Sequence, residues 1–319
     1  MIWADLIHLG THMWADRDGM LYGRKQERRG AMGVAGDTLK CDKAEWQRVT
    51  TEMAAMGLNT LVIDLGEGIQ YKTHPELAIE GAWTVEELKE ELARLRSIGL
   101  NPIPKLNFAT THDEWLGVYS RMISTPQYYQ VVADLIGEVC EIFDTPDYFH
   151  IGMDEECYHH QKPYSMAIVR HGELWWHDVL FYISEVEKHG SRAWMWSDHV
   201  ILNDPEEYVR RMPKTVLQSI WYYDRDFSYP GTPSYILWDS YKYYDFLDKH
   251  GYEQVPTGSL FMAYENMPLL AAFCRERIRP ENLKGFMMTT WVPTLPDHHY
   301  YHLTGADVLR QVKELDFGE

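Results

Sequence analysis

The chain has 319 residues, of which 45% are hydrophobic and 13% aromatic, so it can bury one large core or two average domains. Its formal net charge of −18 argues against a nucleic-acid partner, because proteins that bind phosphate backbones carry basic surfaces. No apolar stretch approaches the roughly 18 residues of a membrane span, so no membrane contact is expected. We interpret the one basic cluster, at residues 23–30, as a solvated loop.

The cysteines give no sign of a metal site or a disulfide framework. The four of them are scattered without a Cys-x-x-Cys pair, at Cys41, Cys140, Cys157 and Cys274. A reducing cytoplasm is therefore expected. The first residues have no basic and apolar segments typical of a signal peptide, although an exported chain from which that peptide had been removed would look the same. The sequence does not indicate an oligomeric state.

Three segments share the pattern of a helix that ends at glycine and is followed at once by an apolar strand, as in a parallel sheet. One of these helices has Thr84 as a cap and Glu87 in the position that completes a capping box. Continuing along the chain predicts eight strands, at residues 6–11, 59–65, 101–108, 148–154, 192–198, 215–223, 259–266 and 285–291. The predicted helices are 43–56, 85–97, 126–143, 166–189, 205–211, 237–249, 268–278 and 304–314.

This alternation predicts an α/β fold, a single (β/α)8 TIM barrel that spans residues 1–319 as one catalytic domain. The alternative is a doubly wound open sheet. That fold usually has a glycine-rich phosphate loop after its first strand, whereas the sequence here is HLGTHMWAD.

The active site of a (β/α)8 barrel lies at the carboxyl ends of its strands, so the candidate residues are those that close the predicted strands. They are His12, Trp14, Asp64, Glu67, Asn107, His112, Asp154, Glu155, Glu156, Trp196, Asp198, His199, Trp221, Tyr223, Tyr264, Glu265 and Trp291. Carboxylates and tryptophans dominate. Hydrolysis of a glycosidic bond needs an acid for the leaving oxygen, an anion near the anomeric carbon and flat apolar walls for the sugar.

The stretch YFHIGMDEE, residues 148–156, ends a buried strand in three acids. Asp154 and Glu155 indicate a site, because two adjacent acids at the end of an apolar strand are costly to desolvate without a use. We expect the chain to turn at Glu155, so that both residues face the pocket, and Glu156 to point to solvent or to a supporting donor. Asp198 and His199 are equally compatible with capping the next helix.

The segment HIGMDE, residues 150–155, resembles the His-x-Gly-Gly-Asp-Glu motif of the β-N-acetylhexosaminidases, glycoside hydrolase family 20. MGLNTLVIDL at 56–65 is similar to the second strand of that family's barrel, and the run from HPEL to PKLN at 74–107 to the segment that leads into its third strand. AWMWSD at 193–198, VLQSIW at 216–221 and MMTTW at 287–291 are similar to its later, tryptophan-bearing strands. The resemblance covers residues 45–295 and implies the same barrel fold.

The resemblance also implies roles for individual residues. Glu155 matches the general acid, and Asp154 matches the carboxylate that orients the 2-acetamido group of the substrate. Trp196, Trp221 and Trp291 match the walls of the sugar pocket. The other residues expected to bind substrate are His150, Asn107, His112, Asp198, Tyr223, Tyr264 and Glu265.

Several positions depart from the family pattern. Met153 stands where glycine is usual, PKLNFATTH at 104–112 replaces PEIDMPGH, and the first strand lacks the arginine that binds the outer hydroxyls of the sugar. Pro293 stands where the family often has a hydroxyl-binding glutamate, and Glu265 is the expected substitute.

These observations lead to one hypothesis and two alternatives. The hypothesis is a retaining, substrate-assisted glycosidase without cofactor or metal, whose acid Glu155 stays protonated because the tryptophan walls and Asp154 raise its pKa. One alternative is a metal-dependent sugar isomerase or hydrolase with His150, Asp154, Asp198 and His199 as ligands. The other is an inactive sugar-binding barrel, suggested by the missing arginine. In each case the expected partner is a carbohydrate.

Overall fold

The computed structural model describes residues 1–13, 35–162, 164, 166–228 and 239–318. Trp14, the basic cluster at 23–30 and the first two residues of the predicted helix 237–249 lie outside the described residues. No helix within the described ranges is long and apolar enough to cross a membrane.

Eight parallel strands form one sheet in the order β6-β5-β4-β3-β2-β1-β8-β7. They are β1 (Ile2–His8), β2 (Thr60–Asp64), β3 (Asn101–Lys105), β4 (Tyr148–His150), β5 (Arg192–Trp196), β6 (Leu217–Ser219), β7 (Thr257–Ser259) and β8 (Gly285–Thr289). The two outer strands also meet, since Thr257 N donates to Ile220 O (3.0 Å) and Tyr222 N to Thr257 O (3.1 Å). The sheet is therefore a closed barrel, and the predicted (β/α)8 fold is confirmed.

Helices surround the barrel. The described ones are α1 (Lys43–Ala55), α2 (Val85–Ser97), α3 (Pro126–Ile142), α4 (Tyr158–Gln161), α5 (Gly172–Lys188), α6 (Asp198–Leu202), α7 (Pro205–Arg211), α8 (Tyr243–Lys249), α9 (Asn266–Arg277) and α10 (His299–Val312), with a π-helical turn at Lys313–Phe317. The capping box predicted for α2 is present: Glu87 N donates to Thr84 Oγ1, and Thr84 N donates to the Glu87 carboxylate.

Alternate residues of each strand face the barrel interior, where the lower layers are apolar. Leu6, Val62, Ile103 and Met287 belong to this inner cluster. The opposite faces of the strands pack against the helices and form the larger outer core. At the carboxyl ends the inner residues become polar, and this change places the candidate site.

Seven of the eight strands, β2 to β8, are shorter than the sequence predicts, and the first and the seventh are also displaced along the chain. The first strand is Ile2–His8 rather than 6–11, and it includes Asp5, whose pKa burial raises well above its usual value. The seventh is Thr257–Ser259 rather than 259–266, and its small residues allow α9 to pack closely: a Cβ on Gly258 would lie 2.7 Å from Asn266 Oδ1. Small polar strands of this kind have no apolar pattern to detect.

Candidate active site

The floor of the barrel mouth is a row of buried polar side chains on four neighbouring strands. In register, His8 of β1 lies beside Asp64 of β2, Asp64 beside Lys105 of β3, and Lys105 beside His150 of β4. The Lys105 ammonium forms a buried ion pair with the Asp64 carboxylate, and His8 Nδ1 lies 3.5 Å from the same carboxylate. Burial and the nearby Lys105 charge lower the pKa of His8 and of His150, so both imidazoles are neutral.

Asp154 lies above this floor and is held as an anion. Its Oδ1 accepts a hydrogen bond from Asn107 Nδ2 (2.7 Å), and His112 Nε2 lies 3.1 Å from Oδ2. Burial alone would raise the pKa of Asp154, but the charge and hydrogen bond of His112, with further help from Lys105 and Asn107, move it well below its usual value.

The strand leaves its extended conformation earlier than the sequence predicts. We expected the turn at Glu155, whereas β4 ends at His150, and Gly152 (φ 74°), Met153 (φ 80°) and Glu155 (φ 56°) are all left-handed. A left-handed backbone favours glycine, which is the usual residue of family 20 at position 153. Here the strain of Met153, about 1 kcal/mol, accompanies the burial of its side chain in the outer core.

Gly152 is required by close packing as well as by its backbone conformation. A Cβ at this position would lie 2.0 Å from Asn107 Oδ1. That oxygen accepts hydrogen bonds from Met153 N (3.2 Å) and Ala109 N (3.1 Å), which leaves the Asn107 amino group directed at Asp154. The glycine thus permits the contact that orients Asp154.

Glu155 is anchored at both ends. Its backbone N–H donates to Asp198 Oδ2 (2.9 Å), and its carboxylate lies between two imidazoles, with His112 Nε2 3.4 Å from Oε2 and His160 Nε2 3.3 Å from Oε1. Burial raises the pKa of Glu155, but His160 and His112 outweigh it, and the pKa lies below its usual value. The sequence-based prediction of a raised Glu155 pKa was therefore wrong, because the positions of the two imidazoles could not be inferred from the sequence.

His112 connects the two acids. Burial alone would lower the pKa of this imidazole, but the adjacent carboxylates of Asp154 and Glu155 raise it to about 10. His112 is therefore a cation near neutral pH, and one positive charge is shared between two negative ones.

Glu156 points away from the pocket to a supporting donor, one of the two positions expected for it. Its carboxylate accepts hydrogen bonds from Arg170 Nε (2.7 Å) and Nη2 (2.6 Å), and Arg170 Nη1 reaches Asp178 Oδ2 (2.9 Å). All three side chains are buried. This cluster fixes the connection that follows β4.

Two of the three tryptophans predicted to form the sugar pocket, Trp221 and Trp291, are connected through Tyr223. Trp221 stacks on Tyr223 with 5.0 Å between ring centroids, and Trp291 Nε1 donates to the Tyr223 hydroxyl (3.1 Å). Trp196 lies 6.3 Å from Trp291, but it is fully buried in the inner core rather than half-buried like the other two.

The inner layer contains hydrogen-bond donors that have no partner among the described residues. The Trp196 indole N–H and His150 Nε2 have no hydrogen-bond partner within the part of the chain that the structure describes. His150 Nδ1 accepts from Gly152 N (3.1 Å), so the proton of this neutral imidazole is on Nε2.

Asp198 and His199, for which capping and site roles were equally expected, have separate environments. Asp198 accepts hydrogen bonds from Glu155 N and from Trp221 Nε1 (2.9 Å each), so it joins an acid to a wall of the pocket. Burial and the Asp154 carboxylate raise its pKa. His199 instead stacks on Trp175 of α5 at 3.4 Å, and burial lowers its pKa to about 3.

The ligand shell of the metal-dependent alternative is therefore not assembled, because the His199 ring lies among the helices. Among the described residues, no group of three or more histidine, cysteine, aspartate and glutamate side chains is arranged to hold a metal ion.

Tyr264 and Glu265 do not close a strand, contrary to expectation. They lie beyond β7 at the start of α9, where Tyr264 is 60% exposed and Glu265 is also exposed.

Glu67, just after the end of β2, is buried. Its Oε1 accepts hydrogen bonds from Thr11 N (2.7 Å) and His12 N (3.1 Å), and burial raises its pKa to about 7.

Sequence reasoning did not identify His160, Lys105 and Arg170 as parts of this region. His160 follows the acidic triplet by four residues, and its position soon after a strand-end acid was a signal for it, whereas Arg170 is fourteen residues beyond Glu156.

Solved structures with the same fold include β-N-acetylhexosaminidases and a chitobiase. The Bacteroides fragilis β-N-acetylhexosaminidase has a TM-score of 0.63 at 13% identity, over 96% of this chain and 65% of that one. The Streptomyces coelicolor GH20 β-N-acetylhexosaminidase has a TM-score of 0.64 at 14% identity, over 96% and 63%. The Flavobacterium johnsoniae chitobiase has a TM-score of 0.60 at 18% identity, over 85% and 46%.

The resemblance to family 20 is thus confirmed in the fold, and at these identities the likeness concerns the fold alone. This chain spans 46% to 65% of the length of those three structures. No protein-family model matches the chain. No curated protein matches it either.

Proposed function

We propose that the chain is a retaining glycosidase that acts on a 2-acetamido sugar by substrate-assisted catalysis. The observation that carries the proposal is the placement of Asp154 and Glu155 on one imidazole, His112, at the carboxyl edge of the barrel. One acid is held as an anion, and the other lies on the turn beside it, with aromatic side chains around the mouth.

Asp154 has the properties needed to orient the acetamido group. Each of its carboxylate oxygens accepts one hydrogen bond or ion-pair contact, which leaves lone pairs for the acetamido N–H of a sugar. With its N–H held, the acetamido oxygen attacks the anomeric carbon and forms an oxazolinium ion. The Asp154 anion stabilises that cation most in the transition state, where the charge develops.

Glu155 supplies the proton in this scheme. It protonates the leaving oxygen as the C–O bond breaks, and the resulting carboxylate then takes a proton from the water that opens the oxazolinium ring. Because the pKa of Glu155 lies below its usual value, the free enzyme carries the protonated acid mainly at acidic pH. We therefore expect kcat/KM to be highest in the acidic range.

The test is a comparison of two nitrophenyl glycosides, the β-N-acetylglucosaminide and the β-glucoside, on the wild type and on Asp154→Asn. The wild type is expected to prefer the acetamido sugar, because the glucoside has no internal nucleophile. Asp154→Asn is expected to lower kcat far more than it raises KM, since the lost interaction is made in the transition state. Equal rates on the two glycosides would contradict the mechanism.

The same assay separates the two alternatives. A sugar-binding barrel would bind N-acetylglucosamine in calorimetry but hydrolyse neither glycoside. A metal-dependent enzyme would lose activity after exhaustive chelation and recover it with a divalent ion, whereas the proposed enzyme retains activity.

A further inference from the structure

Glu155 has a second histidine neighbour that the proposed mechanism does not use. His160 belongs to α4, the short helix just after the acidic triplet, and its side chain is only 3% exposed. Its Nε2 lies 3.3 Å from Glu155 Oε1, while His112 contacts the other oxygen, Oε2. The two oxygens of the acid therefore face two different imidazoles.

A thiol orients the ring of His160. Cys157 Sγ lies 3.2 Å from His160 Nδ1. Burial raises the pKa of this thiol, so the sulfur keeps its proton near neutral pH and can donate it to Nδ1. The proton of the neutral imidazole is then on Nε2, which lies 3.3 Å from Glu155 Oε1.

On the basis of the proposed function, we propose that His160, oriented by Cys157, is a positioning residue. It holds Glu155 as a carboxylate in the free site and sets the pH range in which this acid is protonated. The role is distinct from that of His112. The cation of His112 is shared with Asp154, whereas His160 contacts Glu155 alone of the two acids.

The charged and titratable groups that face His160 are consistent with a neutral donor. Besides the Cys157 thiol, they are Glu155 and Asp154 in the turn after β4, His112 in the connection after β3, and His159 on α4 itself. Burial lowers the pKa of His160, the two carboxylates raise it, and the two other imidazoles lower it, with a net shift downward. His160 is therefore uncharged near neutral pH, and the positive charge by which it lowers the pKa of Glu155 develops toward acidic pH.

The experiment measures kcat/KM against pH for the wild type and His160→Ala on the nitrophenyl β-N-acetylglucosaminide. Without the His160 imidazole, burial is expected to raise the pKa of Glu155. The alkaline limb of the kcat/KM profile should then move up by about one pH unit. His160→Gln keeps an amide donor and should restore part of the difference. The matched control is His171→Ala, whose exposed side chain lies just before α5 and whose limb should equal that of the wild type.

Two variants of Cys157 test the orienting contact. Cys157→Ser keeps a donor toward Nδ1 and should retain the wild-type limb, whereas Cys157→Ala should move the limb in the same direction as His160→Ala, by less. A His160→Ala limb that coincides with that of the wild type would overturn the inference. So would a lowered Tm with reduced activity at every pH and an unmoved limb, because that result describes a purely structural side chain.

A readout without catalysis separates this inference from the proposed function. The Glu155 carboxyl carbon is titrated by ¹³C NMR in the wild type and in His160→Ala, with Glu155→Gln used to assign the resonance. A higher Glu155 pKa in His160→Ala supports the inference even if no glycoside is hydrolysed, in which case the proposed function alone fails. An unchanged Glu155 pKa overturns the inference even if hydrolysis is observed.

Discussion

Glu155 and Glu156 are adjacent in the chain, but their side chains lie in environments of opposite kind. Glu156 faces the guanidinium of Arg170, a charge that no accessible pH removes. Glu155 faces the imidazoles of His112 and His160, whose charge depends on pH and surroundings. The difference teaches that a buried carboxylate supports structure where its partner cannot lose a proton, and can take part in proton chemistry where its partner can.

The largest expected effect is on the catalytic side of this comparison. Glu155→Gln removes the acid and should lower kcat roughly 10²–10⁴-fold for substrates with poor leaving groups, with a smaller loss for nitrophenyl glycosides. Steady-state rates on both substrate types measure it, and cooperative thermal unfolding of the variant shows that the fold is intact. Small and equal losses on both types would remove Glu155 from this role.

The same change one residue later should act on stability instead. Glu156→Gln leaves the buried Arg170 with Asp178 as its one remaining ion-pair partner among the described residues, and is expected to lower the free energy of unfolding by about 3 kcal/mol. Urea unfolding gives this value. Activity per folded molecule, and the alkaline limb of its pH profile, should remain those of the wild type. A Glu156→Gln variant with normal stability and reduced kcat would break the comparison.

The two environments should also differ in how stability depends on pH. His112 has a pKa of about 10 in the folded protein and about 6.5 when unfolded, so its contribution is complete below pH 6.5 and is lost as the pH rises toward 10. The unfolding free energy of the wild type should therefore decline over this range more steeply than that of His112→Gln. Parallel curves for the two proteins would show that His112 is not charged.

The smallest expected effect lies at the edge of the arginine cluster. The Tyr129 hydroxyl donates to Asp178 Oδ1, and Tyr129→Phe should lower the unfolding free energy by about 1 kcal/mol without moving the pH profile. Tyr300→Phe is the control, since the Tyr300 side chain is 80% exposed and should show no change. A shifted pH limb in Tyr129→Phe would mean that the two environments are coupled.

The barrel and the position of its acids could be predicted because their signals are local. Helices that end at glycine before apolar strands define the parallel sheet, and carboxylates at a strand end define its catalytic edge. The seventh strand could not be predicted, because Thr257, Gly258 and Ser259 are small or polar and lie where the packing of α9 places them.

The electrostatics of the site needed the structure. The sequence led to a raised pKa for Glu155 because neighbouring Asp154 and apolar walls can be inferred from adjacency, whereas contacts with His112 and His160 depend on how two connections fold. The exposed position of Glu265 likewise follows from where β7 ends. The cytoplasmic location, the single-domain span of residues 1–319 and the roles of the substrate-binding residues stay predictions.

The contact between Gly152 and Asn107 has a consequence for how this sequence can vary. Both the side chain and the backbone of Asn107 occupy the space that any Cβ at position 152 would need, with Oδ1 2.0 Å and Cα 2.7 Å away. A smaller residue at 107 would remove the first clash but not the second, and it would also take the amide from Asp154. A mutant library built to alter this pocket should therefore leave Gly152 unchanged and vary residues that do not contact it.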